Sequence, residues 1–529
     1  MTSDCYLVGI GGTGARCVEA ALHLCASGLG PRELTVILVD QDETNGNVDK
    51  TRQLAETLRG LGTALRDADQ RIEGSLLKTR ILSPRQGFNW CPVRKEDVGN
   101  MERSLESLFD YRTLANQERH RPLADLMDCL YLREEREQSL EKGYRARPNI
   151  GAAAMMWNSL QRETSIWSGL TDIVSTSLGG NEARVFLVGS LFGGTGAAGF
   201  PTLARDVRNE MPIGKSSSIG GALLLPYFRF PPPSNDPEQS DLEIKSGAAP
   251  TSDNFLRESE AALRYYAGWL DEEKVLDSLY LIGWDPLFRL GHNADGSKSQ
   301  LNPPMIPELY AALGAMRFFR HGAADEHPVL VTGRKAGSNL TWSDLPTLGV
   351  EGMPDVGEVK ERLGQLIRYA VSFNYLYGPA LQPEMVKRVA GERWFKTFFD
   401  RASASDERLR ASESDMRNYC RMAMDWIAGI QWSHGDSLEI NLVDPTVFAE
   451  HHESDTRRLH KPRANLSKHE RASFSTLVHD ASPVSLESIF RKISSRAKGE
   501  LGFTAFCTAL HESCRSDSLN TSEGSWTKN

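Results

Sequence analysis

The chain has 529 residues, of which 40% are hydrophobic and 25% are charged, an ordinary balance for a globular protein. At about 150 residues per domain, this length predicts roughly two to four domains. The net charge of −9, from 61 basic and 70 acidic residues, argues against a nucleic-acid-binding protein, which needs a basic face. The first apolar run begins at Cys5 and no apolar run approaches the ~18 residues of a membrane span, so we expect neither a signal peptide nor a transmembrane helix.

The eight cysteines form no C-x-x-C pair and are scattered along the chain. This distribution is typical of neither a disulfide framework nor a zinc site. The run "EHHES" at 450–454 lacks a third ligand at a suitable spacing, so we predict no metal site built from protein ligands alone. A reducing, cytoplasmic location is the expectation.

In chain order, short apolar runs alternate with helical patterns. The runs predict strands buried on both faces of a parallel sheet, at 6–10, 35–39, 185–189, 221–225 and 278–283. The helical patterns cover 15–27, 151–160, 197–210, 254–270 and 307–319. Strands alternating with helices predict an α/β fold with a doubly wound, mostly parallel sheet.

The rest of the chain departs from this alternation. A charged, mostly helical insertion is predicted at about 41–147, and a loop rich in Pro, Ser and Asp at 231–250. Beyond about residue 345 the pattern is mainly helical. We therefore divide the chain into an N-terminal α/β domain at 1–322, a helical C-terminal region at 323–515 and a disordered tail at 516–529.

The first of two glycine-rich motifs lies in "CYLVGIGGTGARC", residues 5–17. Gly9, Gly11 and Gly14 match G-x-G-x-x-G between a strand and a helix, where backbone N–H groups can bind a phosphate. Asp40 ends the next predicted strand, where a carboxylate could bind a ribose. Taken alone, this motif favours a Rossmann-type enzyme that binds NAD or FAD. The segment "VDQDETNGNVDKTRQ" also resembles the ATP-binding segment of ubiquitin-activating-type adenylating enzymes.

The second motif is "VFLVGSLFGGTGAAG", residues 185–199. It repeats Gly-Gly-Thr-Gly at 193–196, with Thr195 able to donate a hydroxyl hydrogen bond. We call residues 11–14 the first glycine loop and residues 193–196 the second glycine loop. A dinucleotide-binding fold needs only one such loop, whereas two loops at the carboxyl edge of one sheet could hold a single polyphosphate from two sides.

With two such loops the sequence resembles the tubulin/FtsZ superfamily, whose signature is GGGTG[ST]G, and is most similar to its bacterial tubulin-like members. Phe192 stands where the family has the first glycine, and alanines follow the last one. The resemblance covers about residues 5–320. It implies a tubulin-type sheet with a long central helix, binding of GTP or GDP with Mg²⁺, and longitudinal self-association into filaments.

Further segments resemble the family's nucleotide-contacting loops: "RPNIGAAA" (147–154), "LLLPYFRFP" (223–231), "LDSLYLIGWDP" (276–286) and "PPMIPELYAALGAM" (303–316). If this alignment holds, Asp285 and Glu308 can accept hydrogen bonds from N1–H and N2–H₂ of guanine, donors that adenine lacks. The resemblance thus assigns nucleotide binding to Gly11, Gly12, Thr13, Gly14, Asp40, Asp42, Asn149, Gly151, Gly193, Gly194, Thr195, Gly196, Ala197, Pro226, Asp285 and Glu308.

Several of these residue types also have simpler structural explanations. The first glycine loop could be a plain tight turn. Asp40 and Asp42 could contact a ribose or Mg²⁺, or they could be solvated acids in a loop. Pro-Asn before Gly151 is also an ordinary helix start. Asp-Pro at Asp285 is a common turn, and an acid at Glu308 is favoured by the helix dipole.

The resemblance weakens where hydrolysis is concerned. In the family, a loop reading roughly N-x-D-x-x-D after the central helix completes the active site of the next subunit. Here the segment is "RHGAADEHPVL" (320–330), and its only acids are Asp325 and Glu326, our candidates for orienting the attacking water. We expect weak or assembly-dependent GTP hydrolysis, or a GTP-gated scaffold without turnover, with the C-terminal region contacting a protein partner. An NAD- or ATP-binding enzyme is the alternative.

Overall fold

The computed structural model describes most of the chain. The described residues are 4–65, 76–99, 101–145, 147–160, 168–178, 182–210, 217–229, 252–290, 300–323, 329–334, 339–349, 355, 357–399, 407–433, 439–447, 474–497 and 501–516. The predicted loop at 231–250, the "EHHES" run and the tail beyond Ser516 lie outside them.

Ten strands are found in the described residues: β1 (Asp4–Ile10), β2 (Glu33–Val39), β3 (Arg80–Leu82), β4 (Asn89–Trp90), β5 (Ala183–Ser190), β6 (Ser218–Leu224), β7 (Phe228–Arg229), β8 (Ser278–Trp284), β9 (Phe288–Arg289) and β10 (Val329–Arg334). Eight of them form one sheet in the order β10-β8-β6-β5-β1-β2-β3, with β4 also paired to β2. All of its strand pairs are parallel. Strands β7 and β9 form a separate parallel pair.

Helices in the first two thirds of the chain are α1 (Gly11–Ala26), α2 (Gly46–Leu65), α3 (Lys95–Val98), α4 (Leu105–Leu108), α5 (Tyr111–Asn116), α6 (Arg121–Leu130), α7 (Arg133–Glu137), α8 (Pro148–Leu160), α9 (Ser168–Leu178), α10 (Gly194–Glu210), α11 (Ser252–Glu273) and α12 (Ile306–His321). After β10 come α13 (Glu358–Ser372), a π-helical turn (Phe373–Tyr377), α14 (Gly378–Ala380), α15 (Pro383–Val389), α16 (Arg393–Phe398), α17 (Glu407–Trp432), α18 (Leu486–Ile493) and α19 (Phe503–Ser513). Short 3₁₀ turns lie at Trp342–Asp344 and Pro445–Val447.

The sheet is buried on both faces. Alternate residues of β1 point to opposite sides: Leu7 joins the core formed with α1, α2 and α12, and Val8 joins the core formed with α8, α9 and α10. Such two-sided burial is why each central strand reads as a continuous apolar run. The predicted α/β fold with a mostly parallel sheet is confirmed, as are the five predicted strands and five helices, with ends shifted by a few residues.

The sheet includes strands from two parts of the chain where we predicted none, the insertion at 41–147 and the region after residue 322. Strands β3 and β4 lie within the predicted insertion at 41–147 but pair with β2, and α2 packs on α1. Strand β10 lies past the predicted boundary at residue 322 but pairs with β8. These short strands lack the long apolar runs from which we predicted the others.

The C-terminal region is mainly helical in its described part, as predicted, and shares the core of α1 and α2. Helix α17 packs on α2 and α13. His23 of α1 stacks on Trp426 of α17, with ring centroids 4.6 Å apart. All eight cysteines are free thiols. No helix in the described residues combines the length and apolar character needed to cross a membrane.

Candidate functional site

The strand order creates a crevice between β1 and β5. From β1 the chain moves outward to β2, β3 and β4 on one side, and then returns to β5, β6 and β8 on the other. β1 and β5 are paired in parallel register, Gly9 beside Val188, so they end at the same edge of the sheet. This reversal of direction is the topological switch point at which doubly wound sheets bind ligands. The first and second glycine loops follow these two strands.

The two glycine loops touch. Gly11 has φ of +72°, a conformation that favours glycine. A Cβ atom placed on Gly11 would lie 3.3 Å from the backbone nitrogen of Gly196 and from Cβ of Thr195. Behind the loop, a Cβ atom on Gly14 would lie 2.5 Å from the carbonyl oxygen of Val188. The glycines therefore allow α1 to approach β5 and place the two loops in contact.

Both loops open directly into helices, so their N–H groups face the crevice edge. Helix α1 begins at Gly11, and the residue before it, Ile10, provides no side-chain cap. Neither α1 nor α10 has an acidic residue in its first turn. Uncapped N–H groups at the positive end of a helix dipole favour an anion. The second glycine loop is itself the start of α10, with the N–H of Ala197 donating to the carbonyl of Gly193.

Asp40 connects the second glycine loop to the end of β2. The Thr195 hydroxyl donates to Oδ1 of Asp40 at 3.1 Å, Asn45 Nδ2 donates to its Oδ2 at 3.0 Å, and the N–H of Asp42 donates to Oδ1 at 3.2 Å. Burial, with a smaller contribution from Asp42, raises the pKa of Asp40 to about 7. Asp42 is also buried and accepts from Thr44. Two buried acids thus lie beside loops that offer N–H donors.

Asn45 and Asn47 were missed by the sequence analysis. Both are buried, and a Cβ atom on Gly12 would lie 3.2 Å from Asn45 Nδ2 and 3.3 Å from Asn47 Nδ2. Their carboxamides therefore lie over the first glycine loop. The "TNGN" run after β2 was the available signal, since Asn and Gly favour turns and an Asn side chain there can bond to the nearby backbone, as Asn45 Oδ1 does in accepting from the N–H of Asn47.

Glu308 is the acceptor in a buried polar cluster. Arg16 Nε donates to Glu308 Oε1 at 2.5 Å, and the Tyr227 hydroxyl donates to the same oxygen at 2.7 Å. The N–H of Met305 donates to Oε2 at 2.9 Å. Burial lowers the pKa of Arg16, but the Glu308 carboxylate more than offsets this and raises the pKa overall. For Glu308 to accept a hydrogen bond from a base, this buried cluster would have to open, and the predicted contact stays a prediction.

Phe192 occupies the position where the family signature has glycine. Its side chain is 3% exposed and its ring contacts three others, Tyr227, Phe228 and Phe255, at centroid distances of 5.9, 5.2 and 5.1 Å. Tyr227 is the same residue that donates to Glu308. The ring at Phe192 therefore fixes the second glycine loop to the aromatic segment after β6.

The remaining predicted contacts lie around this edge. Gly151 is buried, and a Cβ atom there would lie 3.0 Å from the carbonyl oxygen of Gly194, whereas Asn149 is exposed and donates to Glu135 at 3.4 Å. Pro226 is buried directly after β6, and Asp285 is exposed directly after β8. The structure thus brings Gly151 against the second glycine loop and leaves the Asn149 side chain on the surface.

The two predicted catalytic acids, Asp325 and Glu326, lie outside the described residues. Within the described part of the chain, no group of three or more His, Cys, Asp or Glu side chains is arranged to hold a metal ion. Comparison with known proteins gives no match to any family model, curated protein or solved structure. The functional argument therefore depends on the geometry of the crevice and on the sequence motifs.

Proposed function

We propose that this chain is a tubulin-like GTP-binding protein, a nucleotide-gated self-assembling or scaffold protein with weak or assembly-dependent GTP hydrolysis. The observation that carries the proposal is the contact between the two glycine loops, where Gly11 meets Thr195 and Gly196. Two helix N-termini at one switch point, neither with an acidic residue in its first turn, offer donors to a polyphosphate from both sides. A dinucleotide at the first loop alone would leave the second loop without a role.

Mg²⁺ fits the acids beside the loops. This ion is usually held by one or two carboxylates together with nucleotide phosphates. In the described part of the chain, the donors to Asp40 are the neutral groups of Thr195, Asn45 and Asp42 N–H. Burial, with Asp42 close by, raises the pKa of Asp40 to about 7, and a nearby cation would favour its charged form. When bound, Mg²⁺ would neutralise phosphate charge. Asp40 and Asp42 are the residues we assign to it, with ribose contact the alternative for each.

Guanine specificity rests on the family resemblance, with Asp285 as the better-placed acceptor. Asp285 is exposed at the carboxyl end of β8, the same edge of the sheet that carries both glycine loops. Glu308 already accepts a hydrogen bond from Arg16. Self-association would supply water-orienting acids from Asp325 or Glu326 of a second copy. The C-terminal helical region is our candidate for binding a protein partner.

The test is binding of GTP, ATP and NAD to the full chain with Mg²⁺, followed by phosphate release from GTP at several protein concentrations. Preference for GTP, with a specific rate that rises with concentration, supports an active site shared between subunits. Tight GTP binding without turnover supports the scaffold form. Equal GTP and ATP affinities would reject the guanine assignment.

A Rossmann-type or adenylating enzyme that binds NAD or ATP at the first glycine loop is the second candidate. The strand order supports this candidate as much as the tubulin-like hypothesis, because dinucleotide-binding sheets also reverse the direction of their strand order beside the first strand. Binding of NAD or ATP without GTP would establish this candidate. Thr195→Val would then have little effect, since the second loop would not contact the ligand.

A further inference from the structure

Asn47 is a buried side chain with an unused hydrogen-bond donor. It lies in the first turn of α2 and is 2% exposed. Its Oδ1 accepts from the backbone N–H of Asn302 at 3.0 Å, which fixes the orientation of the carboxamide. Its Nδ2 has no hydrogen-bond partner. Buried polar groups nearly always have partners, so an unpaired donor held in one orientation needs an explanation.

The unused donor faces the first glycine loop. A Cβ atom on Gly12 would lie 3.3 Å from Asn47 Nδ2, a close approach that glycine permits. The neighbouring amide of Asn45 lies equally close but is occupied, because its Nδ2 donates to Asp40 and to Gln300. Asn47 is therefore the free side-chain donor on this side of the loop, among the described residues.

The surroundings define which atom it can bind. The first turn of α1 presents uncapped N–H groups and contains no acidic residue, so donors and positive potential converge there. Asn47 adds another donor, while its Oδ1 is turned toward the backbone N–H of Asn302. Such a set binds an acceptor that carries negative charge, and a phosphate oxygen meets that description.

We propose that Asn47 donates from Nδ2 to a phosphate oxygen of the nucleotide bound at the first glycine loop. This inference rests on the proposed nucleotide-binding function and adds a phosphate-contacting residue from outside both glycine motifs. The cost of burying the unpaired donor is removed when the ligand supplies an acceptor.

The test compares wild type, Asn47→Asp and Asn47→Ala by titration with GTP, GDP and guanosine, and by thermal unfolding with and without GTP. Asn47→Asp keeps an acceptor for Asn302 and replaces the donor with a negative charge. We expect GTP and GDP affinities to fall at least tenfold in Asn47→Asp and severalfold in Asn47→Ala. Asn116→Asp, which adds the same charge on the exposed end of α5, is the control and should leave the affinities unchanged.

Thermal unfolding separates ligand contact from a structural role. We expect Asn47→Ala without nucleotide to unfold within a few degrees of wild type, while the stabilisation by GTP shrinks. If wild type binds GTP and both variants bind it within twofold of wild type, the assignment of Asn47 is wrong and the proposed function stands. If wild type binds no nucleotide, both proposals fail together.

Discussion

Arg16 and Glu308 form an ion pair between the helix that follows the first glycine loop and the first turn of α12. Their Nε and Oε1 atoms are 2.5 Å apart, and the side chains are 2% and 1% exposed. The pair links α1, which begins at the crevice between β1 and β5, to α12. Replacing one partner leaves the other charge buried, which typically costs about 3–5 kcal/mol of folding free energy.

We therefore expect Arg16→Met to lower the free energy of unfolding by about 3 kcal/mol or more, measured by denaturant titration. The double variant Arg16→Met/Glu308→Gln should lose less than the sum of the two single changes, because neither charge is then unpaired. Arg52→Met, which removes a half-exposed arginine paired with Asp49 and Glu56, is the control and should cost under about 1 kcal/mol. Strictly additive losses would show that the pair is not coupled.

The Thr195 hydroxyl is the link between the second glycine loop and Asp40. Thr195→Val removes the donor while keeping the shape of the side chain, and a typical hydrogen bond is worth about 0.5–1.5 kcal/mol. We expect GTP affinity to fall about tenfold, measured by calorimetric titration. Thr202→Val on the same helix, where the hydroxyl donates to the carbonyl of Ala198 within the helix, should leave affinity unchanged. Equal affinities of the two variants would contradict the role of Thr195.

Gly14 is required by the distance between α1 and β5. Its Cβ atom would lie 2.5 Å from the Val188 carbonyl oxygen, a backbone atom that cannot move without shifting the strand. We expect Gly14→Ala to destabilise the fold by about 1–3 kcal/mol in thermal or denaturant unfolding. Gly60→Ala is the matched change, because this glycine lies within α2 with no atom within 4 Å of the added Cβ. It should stabilise the protein by up to about 1 kcal/mol.

We expect Phe192 to have a structural role. Phe192→Gly introduces the glycine of the tubulin/FtsZ signature but removes a buried ring that contacts Tyr227, Phe228 and Phe255. We expect a loss of about 3–5 kcal/mol of folding free energy, as for other buried Phe truncations. Phe192→Leu keeps most of the volume and should lose under about 2 kcal/mol. A stable Phe192→Gly variant would mean that the aromatic cluster repacks without the ring.

His23 makes stability depend on pH. Its ring is fully buried against Trp426, and burial, with a smaller effect of Lys50, lowers the pKa of His23 from 6.5 to about 3. The unfolded chain therefore takes up a proton near pH 6.5 that the folded chain does not bind. The contribution of neutral His23 to the free energy of unfolding is therefore complete above pH 6.5 and is lost as the pH falls toward 3.

For one such group, the loss between pH 7 and pH 5 is about 2 kcal/mol. We expect His23→Phe, which keeps the aromatic stack, to reduce the difference in unfolding free energy between these two pH values by about that amount. His120→Phe, at a half-exposed position, is the control and should leave the difference nearly unchanged. An unaltered pH dependence in His23→Phe would mean that His23 is charged in the folded protein.

The sequence alone determined the central sheet and the two loops. Buried parallel strands are apolar along their whole length, so the runs that became β1, β2, β5, β6 and β8 were visible without structure. The glycine loops were equally visible, because glycine is required wherever the backbone must take a positive φ or approach another chain segment, as at Gly11 and Gly14.

Tertiary structure decided which side chains meet. Asn47 shares no motif with Gly12, and Arg16 is 292 residues from Glu308, yet each pair lies together once the sheet and α12 are packed. Short strands such as β3 and β10 depend on pairing with a neighbouring strand, which their local sequence does not encode. Apolar periodicity specifies elements and their buried faces, whereas a hydrogen bond between distant residues depends on how those elements are arranged in space.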